Sequence, residues 1–209
     1  MAFLAFPFGY NTLMKCLPES FYAAEVVDVA RQLLGMRLVR SLDGVRISGI
    51  ITETEAYRGE EDLACHARSG KTLRNAVMYG RPGRAYIYFT YGMHWCLNAV
   101  CGPEGFPAAV LIRAIHPIEG KDVIALQREG RKSSDWCSGP ARLCKALAID
   151  KALNGAALCE DESPLWIEEG TFLPDSNISI TPRIGISNTP EPWRSKPWRF
   201  VVHSMENIS

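Results

Sequence analysis

The sequence predicts an α+β fold in a single domain, and three features support this prediction. The chain has 209 residues, of which 47% are hydrophobic, and this suits one well-buried core better than two. Two β-like runs flank Leu42-Asp43-Gly44, which is a strong signal for an antiparallel hairpin. Apolar residues also recur at helical spacing before and after the strand-rich part. We expect residues 1–17 to form an N-terminal arm and residues 18–209 to form the domain.

The first half of the domain is predicted to be a helix followed by β hairpins. Val26, Ala30 and Leu33 mark one helical face, and Gly35 is suited to the position after the last helical turn. Tyrosines crowd a later strand pair that must turn at Gly92. The other elements of this half are predicted at 36–41, 45–57, 75–79 (a helical turn), 85–91 and 93–101.

The second half is predicted to contain a long apolar strand, two helices and three short strands. Arg113 interrupts the apolar strand, and a guanidinium there must face a pocket or a buried acid. The start of the helix at Pro140 would suit a phosphate, although an ordinary capped surface helix fits the pattern equally well. The predicted elements are strand 108–115, helices 117–131 and 140–149, and strands 165–168, 183–187 and 199–203.

The stretch 51–70, ITETEAYRGEEDLACHARSG, carries the candidate chemistry. Its alternation places Glu53, Glu55 and Tyr57 on one face of a strand, and His66 follows in the adjoining loop. Carboxylates on a sheet face need a partner or a reaction. A carboxylate, an aromatic side chain and an imidazole in one pocket would suit general base catalysis on a substrate with a planar ring. The alternative is that Glu53 and Glu55 face solvent on an edge strand, and spacing does not separate the two carboxylates.

The distribution of charge along the chain, rather than the net charge, indicates that the protein binds a polyanion. The formal net charge is zero, but there is no Asp or Glu between Leu63 and Pro103. This acid-free segment contains five basic residues, which predict a local positive surface. They are Arg68, Lys71, Arg74, Arg81 and Arg84. Tyrosines interleave with these charges, a composition expected where bases stack and phosphates are neutralised.

The cysteines and apolar runs bear on the compartment and on metals. Seven cysteines without a C-x-x-C pair indicate reduced thiols in a cytosolic or nuclear protein. We expect no signal peptide, because no basic region precedes the first apolar run, and no membrane span. Cys65-His66 with His94 and Cys96 could supply zinc ligands, but both pairs lie in segments predicted as pocket or core. We therefore expect no metal and no other cofactor.

Five runs, in one order along residues 17–200, carry a family resemblance: ARQLLGMRLVR, ITETEAYRGEEDLACH, RNAVMYGRPGRAYIYFTYGMHWCLN, VLIRAIHPIEG and SGPARLCKALAI. With them the chain resembles the alkyladenine (3-methyladenine) DNA glycosylases of the type that includes the human enzyme. The resemblance implies a curved antiparallel sheet with surrounding helices. It also implies a monofunctional enzyme that flips a damaged purine out of double-stranded DNA and hydrolyses its N-glycosidic bond, leaving an abasic site. We expect a monomer in the cytoplasm (nucleoid) or nucleus.

The resemblance assigns roles to individual residues. Glu55 matches the family's general base, and Arg113 matches the arginine that helps to place the attacking water. Tyr91 matches the side chain that fills the vacated stack. Four residues match the family's base-binding residues: Tyr57, His66 and Tyr88 match those that enclose the flipped base, and Asn98 matches the asparagine that crowds the exocyclic amino group of normal guanine. Three residues fall where the family contacts phosphates: Arg128, Arg142 and Lys151. Leu73 and His94 depart from the family pattern, which leaves the range of accepted bases open.

Two other functions remain open at this point. A small-molecule nucleoside hydrolase would need an acidic cluster for a metal or for ribose, and the acid-free segment argues against it. A non-catalytic nucleic-acid-binding module would not need Glu55 beside an aromatic pocket. The predicted pocket segments 52–66, 85–98 and 110–114 contain no lysine, so an amine nucleophile for strand cleavage is not expected.

Overall fold

An antiparallel sheet of eight strands is the framework of the protein in the computed structural model, which describes residues 15–203. The sheet is curved and follows the order β3-β4-β5-β2-β1-β6, and β8 joins β2 to β7. Its strands are β1 Arg37–Leu42, β2 Val45–Arg58, β3 Ala85–Thr90, β4 His94–Val100, β5 Ala108–Glu119, β6 Leu165–Glu168, β7 Ile178–Thr181 and β8 Arg199–Val202. The predicted α+β class and the curved antiparallel sheet are confirmed.

Strand β2 is the centre of this sheet. One of its edges pairs with β5 over nearly its whole length, and its other edge pairs with β1 in the first half and with β8 in the second. Irregularities in the β2–β5 pairing occur on both sides of Glu53, and such bulges bend a strand. The alternative of an exposed edge strand for Glu53 and Glu55 is therefore wrong.

The first hairpin turns as its sequence predicts. Asp43 and Gly44 have φ angles of 50° and 79°, and consecutive positive φ angles are those of the tight turn that Asp-Gly favours. β1 and β2 then pair in register from Leu42 opposite Val45 to Arg37 opposite Ile50.

Four α-helices of the described residues flank the sheet. They are α1 Glu19–Tyr22, α2 Val26–Gln32, α3 Lys121–Gln127 and α4 Pro140–Ala146. Helix α2 packs against β2 and β5, where the Thr54 hydroxyl donates to the Ala30 carbonyl at 2.7 Å. Helix α4 packs against β4 and β5, and its Leu143 and Cys144 are buried. Burial of these apolar faces holds the curved sheet in place.

Two predicted elements are wrong. The helix predicted at 117–131 begins only at Lys121, because β5 continues to Glu119, whose carboxylate contacts Arg46 of β2. The strand predicted at 183–187 is not a strand, and β7 lies earlier, at Ile178–Thr181. The Arg183 side chain is buried in the domain, and the Ile184 N–H bonds a side chain instead of a neighbouring strand.

The last residues of the predicted arm contact the domain. The Leu17 N–H donates to Ile167 and Lys15 accepts from Glu169, while residues 1–14 lie outside the described residues. Within residues 15–203, no helix is long and apolar enough to cross a membrane.

Candidate active site

A cavity of about 320 Å³ opens on one side of the sheet, between β2, β3, β4, β5 and the start of α4. It is lined by aromatic side chains together with a few polar groups. The lining includes six of the residues predicted from the sequence: Tyr57, His66, Tyr88, Tyr91, Asn98 and Arg113. Segments that are far apart in sequence thus bring all four predicted base-binding residues, Tyr57, His66, Tyr88 and Asn98, to one place.

Glu55 lies behind the cavity wall, fully removed from solvent. Its carboxylate accepts hydrogen bonds from the Tyr57 hydroxyl at 2.9 Å and from the Ile184 backbone N–H at 2.7 Å. A guanidinium nitrogen of Arg113 lies 3.3 Å from it. Burial raises the pKa of Glu55, while Arg113 and the two hydrogen bonds oppose that rise. The three groups that hold the carboxylate all line the cavity.

Glu53 has different partners from Glu55 although both lie on β2. Its carboxylate accepts from Arg113 at 2.6 Å and from Arg199 at 2.7 Å. Arg113 therefore bridges the two carboxylates. Burial works against the charge of Arg113, but Glu55 and Glu53 raise its pKa above the ordinary value. Glu53 thus contacts two arginines, whereas Glu55 contacts three groups that line the cavity.

Aromatic rings form one wall of the cavity. The His66 ring meets Tyr88 edge-on at a centroid distance of 4.3 Å, and its Nδ1 lies 3.0 Å from the Tyr86 hydroxyl. Partial burial, followed by the charges of Arg74 and Arg68, lowers the pKa of His66 to about 4, although this residue retains an exposed face. A neutral imidazole beside electron-rich rings leaves the wall suited to a cationic base.

Asn98 is a buried polar group of the cavity. It lies on β4 opposite Tyr86, and its amide donates to the Tyr86 carbonyl at 2.9 Å. Only 3% of Asn98 is exposed, so its orientation is set by the strand pair. The amide is in a position to discriminate between polar groups on a bound ring.

The turn between β3 and β4 carries the most exposed aromatic ring of the described residues. Tyr91 has a φ of 52° and is 81% exposed, and Met93 beside it is 66% exposed. Left-handed backbone at a non-glycine residue is uncommon. This turn places Tyr91 at the mouth of the cavity, which its side chain lines.

The predicted phosphate contacts fall in two places. Arg128 and Arg142 line one groove, next to the β3–β4 turn, with Arg131 and Lys145. The Arg142 guanidinium pairs with Asp135 at 3.0 Å and donates to Ser138. Lys151 is exposed in a separate helical turn, Lys151–Leu153, and is not among the residues of this groove. Tertiary structure therefore joins two of the three predicted residues.

The prediction of five positive charges on one surface is wrong in part. Arg81 pairs with Glu19 at 2.6 Å, and Arg84 approaches Glu160 at 3.8 Å. Acids from distant parts of the chain thus neutralise two residues of the acid-free segment. Arg74 remains next to the cavity, with its guanidinium 5.5 Å from the Tyr88 ring centre.

Sequence reasoning missed the segment 183–186 and its anchor. Ile184, Gly185 and Ile186 line the cavity, and the Arg183 guanidinium donates to both carboxylate oxygens of Asp62. Both side chains of this pair are fully buried. Asp62 belongs to the acidic end of the stretch 51–70, but nothing in the sequence indicates its partner 121 residues away. Among residues 15–203, no three His, Cys, Asp or Glu side chains converge as metal ligands do.

Comparisons with known proteins identify relatives over most of the chain. Residues 20–206 match the family model described as methylpurine-DNA glycosylase. A protein of Methanocella arvoryzae is 48% identical over 197 residues, covering 94% of this chain and 96% of its own length. A protein of Carboxydothermus hydrogenoformans is 46% identical, covering 92% of this chain and 98% of its own length. Both relatives carry the name "Putative 3-methyladenine DNA glycosylase".

Proposed function

Since the chain belongs to the methylpurine-DNA glycosylase family, we propose that it excises alkylated or deaminated purines, 3-methyladenine among them, from double-stranded DNA. The damaged nucleotide is flipped out of the duplex into the cavity, and its N-glycosidic bond is hydrolysed there. The observation that carries this proposal is the buried carboxylate of Glu55, held by Tyr57 and Arg113 at the wall of an aromatic cavity.

The aromatic wall supports recognition of the base. In the proposal, Tyr57, His66 and Tyr88 enclose the flipped ring, and their faces favour an electron-poor, alkylated purine. The raised pKa of Tyr57, which follows from burial and from Glu55, keeps its hydroxyl protonated as a donor. Asn98 restricts which substituents the edge of the purine ring can carry, because the hydrogen bond to Tyr86 fixes the orientation of its amide.

Glu55 acts on water in this proposal. An N-glycosidic bond to a cationic purine is already weak, so the site needs mainly a carboxylate that orients water and stabilises positive charge developing on the sugar. We assign the water to the cavity edge where Tyr57, Arg113 and Ile184 meet, because these groups hold the carboxylate. As the C1′–N bond of the cationic purine breaks, its electron pair goes to the base, which leaves as a neutral purine. The water oxygen bonds to C1′, and one water proton passes to Glu55.

The exposed surface beside the cavity would hold the DNA. Tyr91 fills the position that the flipped nucleotide vacates, which its 81% exposure at the cavity mouth favours. Arg128 and Arg142 meet phosphates in their shared groove, and Lys151 meets a phosphate at a second point. Phosphate contacts of this kind fix the register of the duplex without reading its sequence.

The direct experiment measures free base released from alkylated duplex DNA by the whole protein. Release from the duplex, with little release from the free nucleoside, is the expected result. Equal activity on the nucleoside would indicate a small-molecule hydrolase, and binding without release would indicate a non-catalytic module. The same reaction in the presence of borohydride should yield no covalent adduct, because water is the nucleophile and the product is an abasic site in an intact strand.

A further inference from the structure

The Arg183 guanidinium is enclosed by the protein on all sides. It donates two hydrogen bonds to Asp62, at 2.5 and 2.9 Å, one to the Ala56 carbonyl at 3.0 Å and one to the Trp193 carbonyl at 3.0 Å. Ala56 lies on β2 directly after Glu55. One side chain thus joins the strand of the candidate base and the loop that follows it, which contains Asp62, to the segment 182–198 between β7 and β8.

Two aromatic rings also contact the same guanidinium. The Arg183 carbon Cζ lies 4.8 Å from the centre of the Tyr57 ring and 5.0 Å from that of Trp198. Lys196 lies on Trp198 and on Trp193, at 4.6 and 4.8 Å. Rings and cations therefore alternate from the cavity wall at Tyr57 to the last ring, Trp193. Two ring contacts, together with four hydrogen bonds, restrict the orientation of a planar guanidinium.

The segment that follows Arg183 reaches the catalytic carboxylate. Strand pairing of β7 ends at Thr181, and the Ile184 N–H then donates to Glu55 at 2.7 Å. Ile184 is 49% exposed, so its own side chain anchors the segment weakly. The anchor is the residue before it, through Asp62 and the two rings.

We propose that Arg183, held by Asp62, is a positioning residue that keeps the Ile184 N–H on Glu55 and thereby keeps this carboxylate ionised and correctly oriented. The inference rests on the proposed function, since it concerns the base of that reaction. Arg183 is not among the residues that line the cavity. Its effect reaches the reaction through other residues: the backbone of Ile184, the ring of Tyr57 and the backbone of β2 at Ala56.

The pH dependence of Glu55 is the quantity that separates this role from a purely structural one. A hydrogen bond donated to a carboxylate favours its charged form, so loss of the Ile184 N–H must raise the pKa of Glu55 further. Titratable groups face this carboxylate from four strands: Glu53 and Tyr57 of β2, Tyr88 of β3, Cys96 of β4 and Arg113 of β5. Substitution of Arg183 leaves all of them in the chain.

The test is Arg183→Lys, which keeps the charge but loses the planar fork and its stacking. The acidic limb of the single-turnover excision profile should move up by about one pH unit. The binding of damaged duplex should change little. A ¹³C titration of Glu55 in the free protein, assigned with Glu55→Gln, should show the same displacement without relying on activity.

Arg46→Lys is the matched control. Arg46 also forms a fork with a carboxylate, that of Glu168 at 3.0 and 2.7 Å, and lies 5.6 Å from the Trp166 ring centre. This pair lines no part of the cavity. The control should therefore leave the acidic limb where it is in the wild type, even if it lowers thermal stability.

Asp62→Asn supplies the second variant if Arg183→Lys does not fold. It should move the limb in the same direction, and the double variant should add little because both act through one contact. An unmoved limb and an unmoved Glu55 titration in a folded variant would overturn the inference, as would loss of folding in both variants. If the wild-type protein released no free base from alkylated duplex DNA, the proposed function itself would fail, and this result is distinguishable from the others.

Discussion

The wall of the cavity and the tip of the β3–β4 hairpin, Tyr91–Met93, differ in how far their side chains are buried. Behind the wall, Glu55 and Asp62 are fully buried, and each of their four carboxylate oxygens accepts a hydrogen bond. At the tip, Tyr91 and Met93 expose 81% and 66% of their surface. A charge can stay in the interior only when its partners are in place, whereas an exposed apolar tip can meet a partner that arrives later.

This difference separates two tasks that the proposal gives to one protein. The wall is held by contacts between strands and loops distant in sequence, so it can hold a reacting group at a defined position. The tip lies at a tight turn, where few other elements restrict it. Substitutions at the wall should therefore change the rate of the chemical step, and substitutions at the tip should change the DNA complex.

The largest effect is expected for Glu55→Gln. The amide keeps the size of the side chain but cannot take a proton from water, so base release should fall by about 10²–10⁴-fold, while binding of damaged duplex is retained. Single-turnover excision and a binding titration measure the two quantities. Glu53→Gln is the matched control on the same strand, and it should cost less because Glu53 acts on Arg113 and Arg199. Loss of less than about tenfold in Glu55→Gln, or 1.4 kcal/mol, would move the role to another residue, Glu53 first.

Tyr91→Ser tests the other region. Without the ring, the flipped complex should be weaker by roughly 1–3 kcal/mol, the scale of an aromatic–base stack. A fluorescent base analogue placed next to the lesion reports flipping. Phe172→Ser is the control, because Phe172 is 74% exposed and lies outside the cavity. Equal fluorescence for the wild type and Tyr91→Ser would contradict the role of the tip.

A smaller change is expected when one phosphate contact is removed. Affinity for duplex DNA should fall steeply with salt despite the zero net charge, because counterions are released from phosphates. Arg142→Ala should reduce the slope of log affinity against log salt by about one. Arg84→Ala should leave that slope unchanged, since Arg84 lies near Glu160 and outside the groove. An affinity of the wild type that does not vary with salt would favour a small substrate.

The smallest effect concerns the protonation of His66. Its pKa of about 4 in the folded protein lies below the ordinary 6.5, so the unfolded chain binds the proton first as the pH falls. The stability that neutral His66 contributes is therefore present above pH 6.5 and is lost as the pH falls towards 4. NMR titration of the ring, with unfolding of His66→Gln as the control, measures this. A midpoint near 6.5 would show that the pocket does not perturb the ring.

Local patterns were sufficient for most of the strands. Asp43-Gly44 indicates its turn because it tolerates positive φ angles at both positions. The alternation along β2 and the tyrosines of β3 also indicate extended chain, and both strands are present. Residues 117–119 and 183–187 were predicted wrongly because their conformations depend on distant partners. Glu119 is held by Arg46, and Arg183 is held by Asp62.

Local patterns likewise predicted part of the site but not the partners of its carboxylates. Period-two spacing places Glu53, Glu55 and Tyr57 on one face, and the family resemblance names Glu55, but spacing gives both carboxylates the same position. Tertiary contacts separate them: Arg199 reaches Glu53, and the Ile184 N–H reaches Glu55. These partners lie 146 and 129 residues further along the chain. Local sequence determines which face of a strand a side chain lies on. The groups that it contacts there depend on how distant segments pack against the sheet, and a buried charge is stable only when such partners are present.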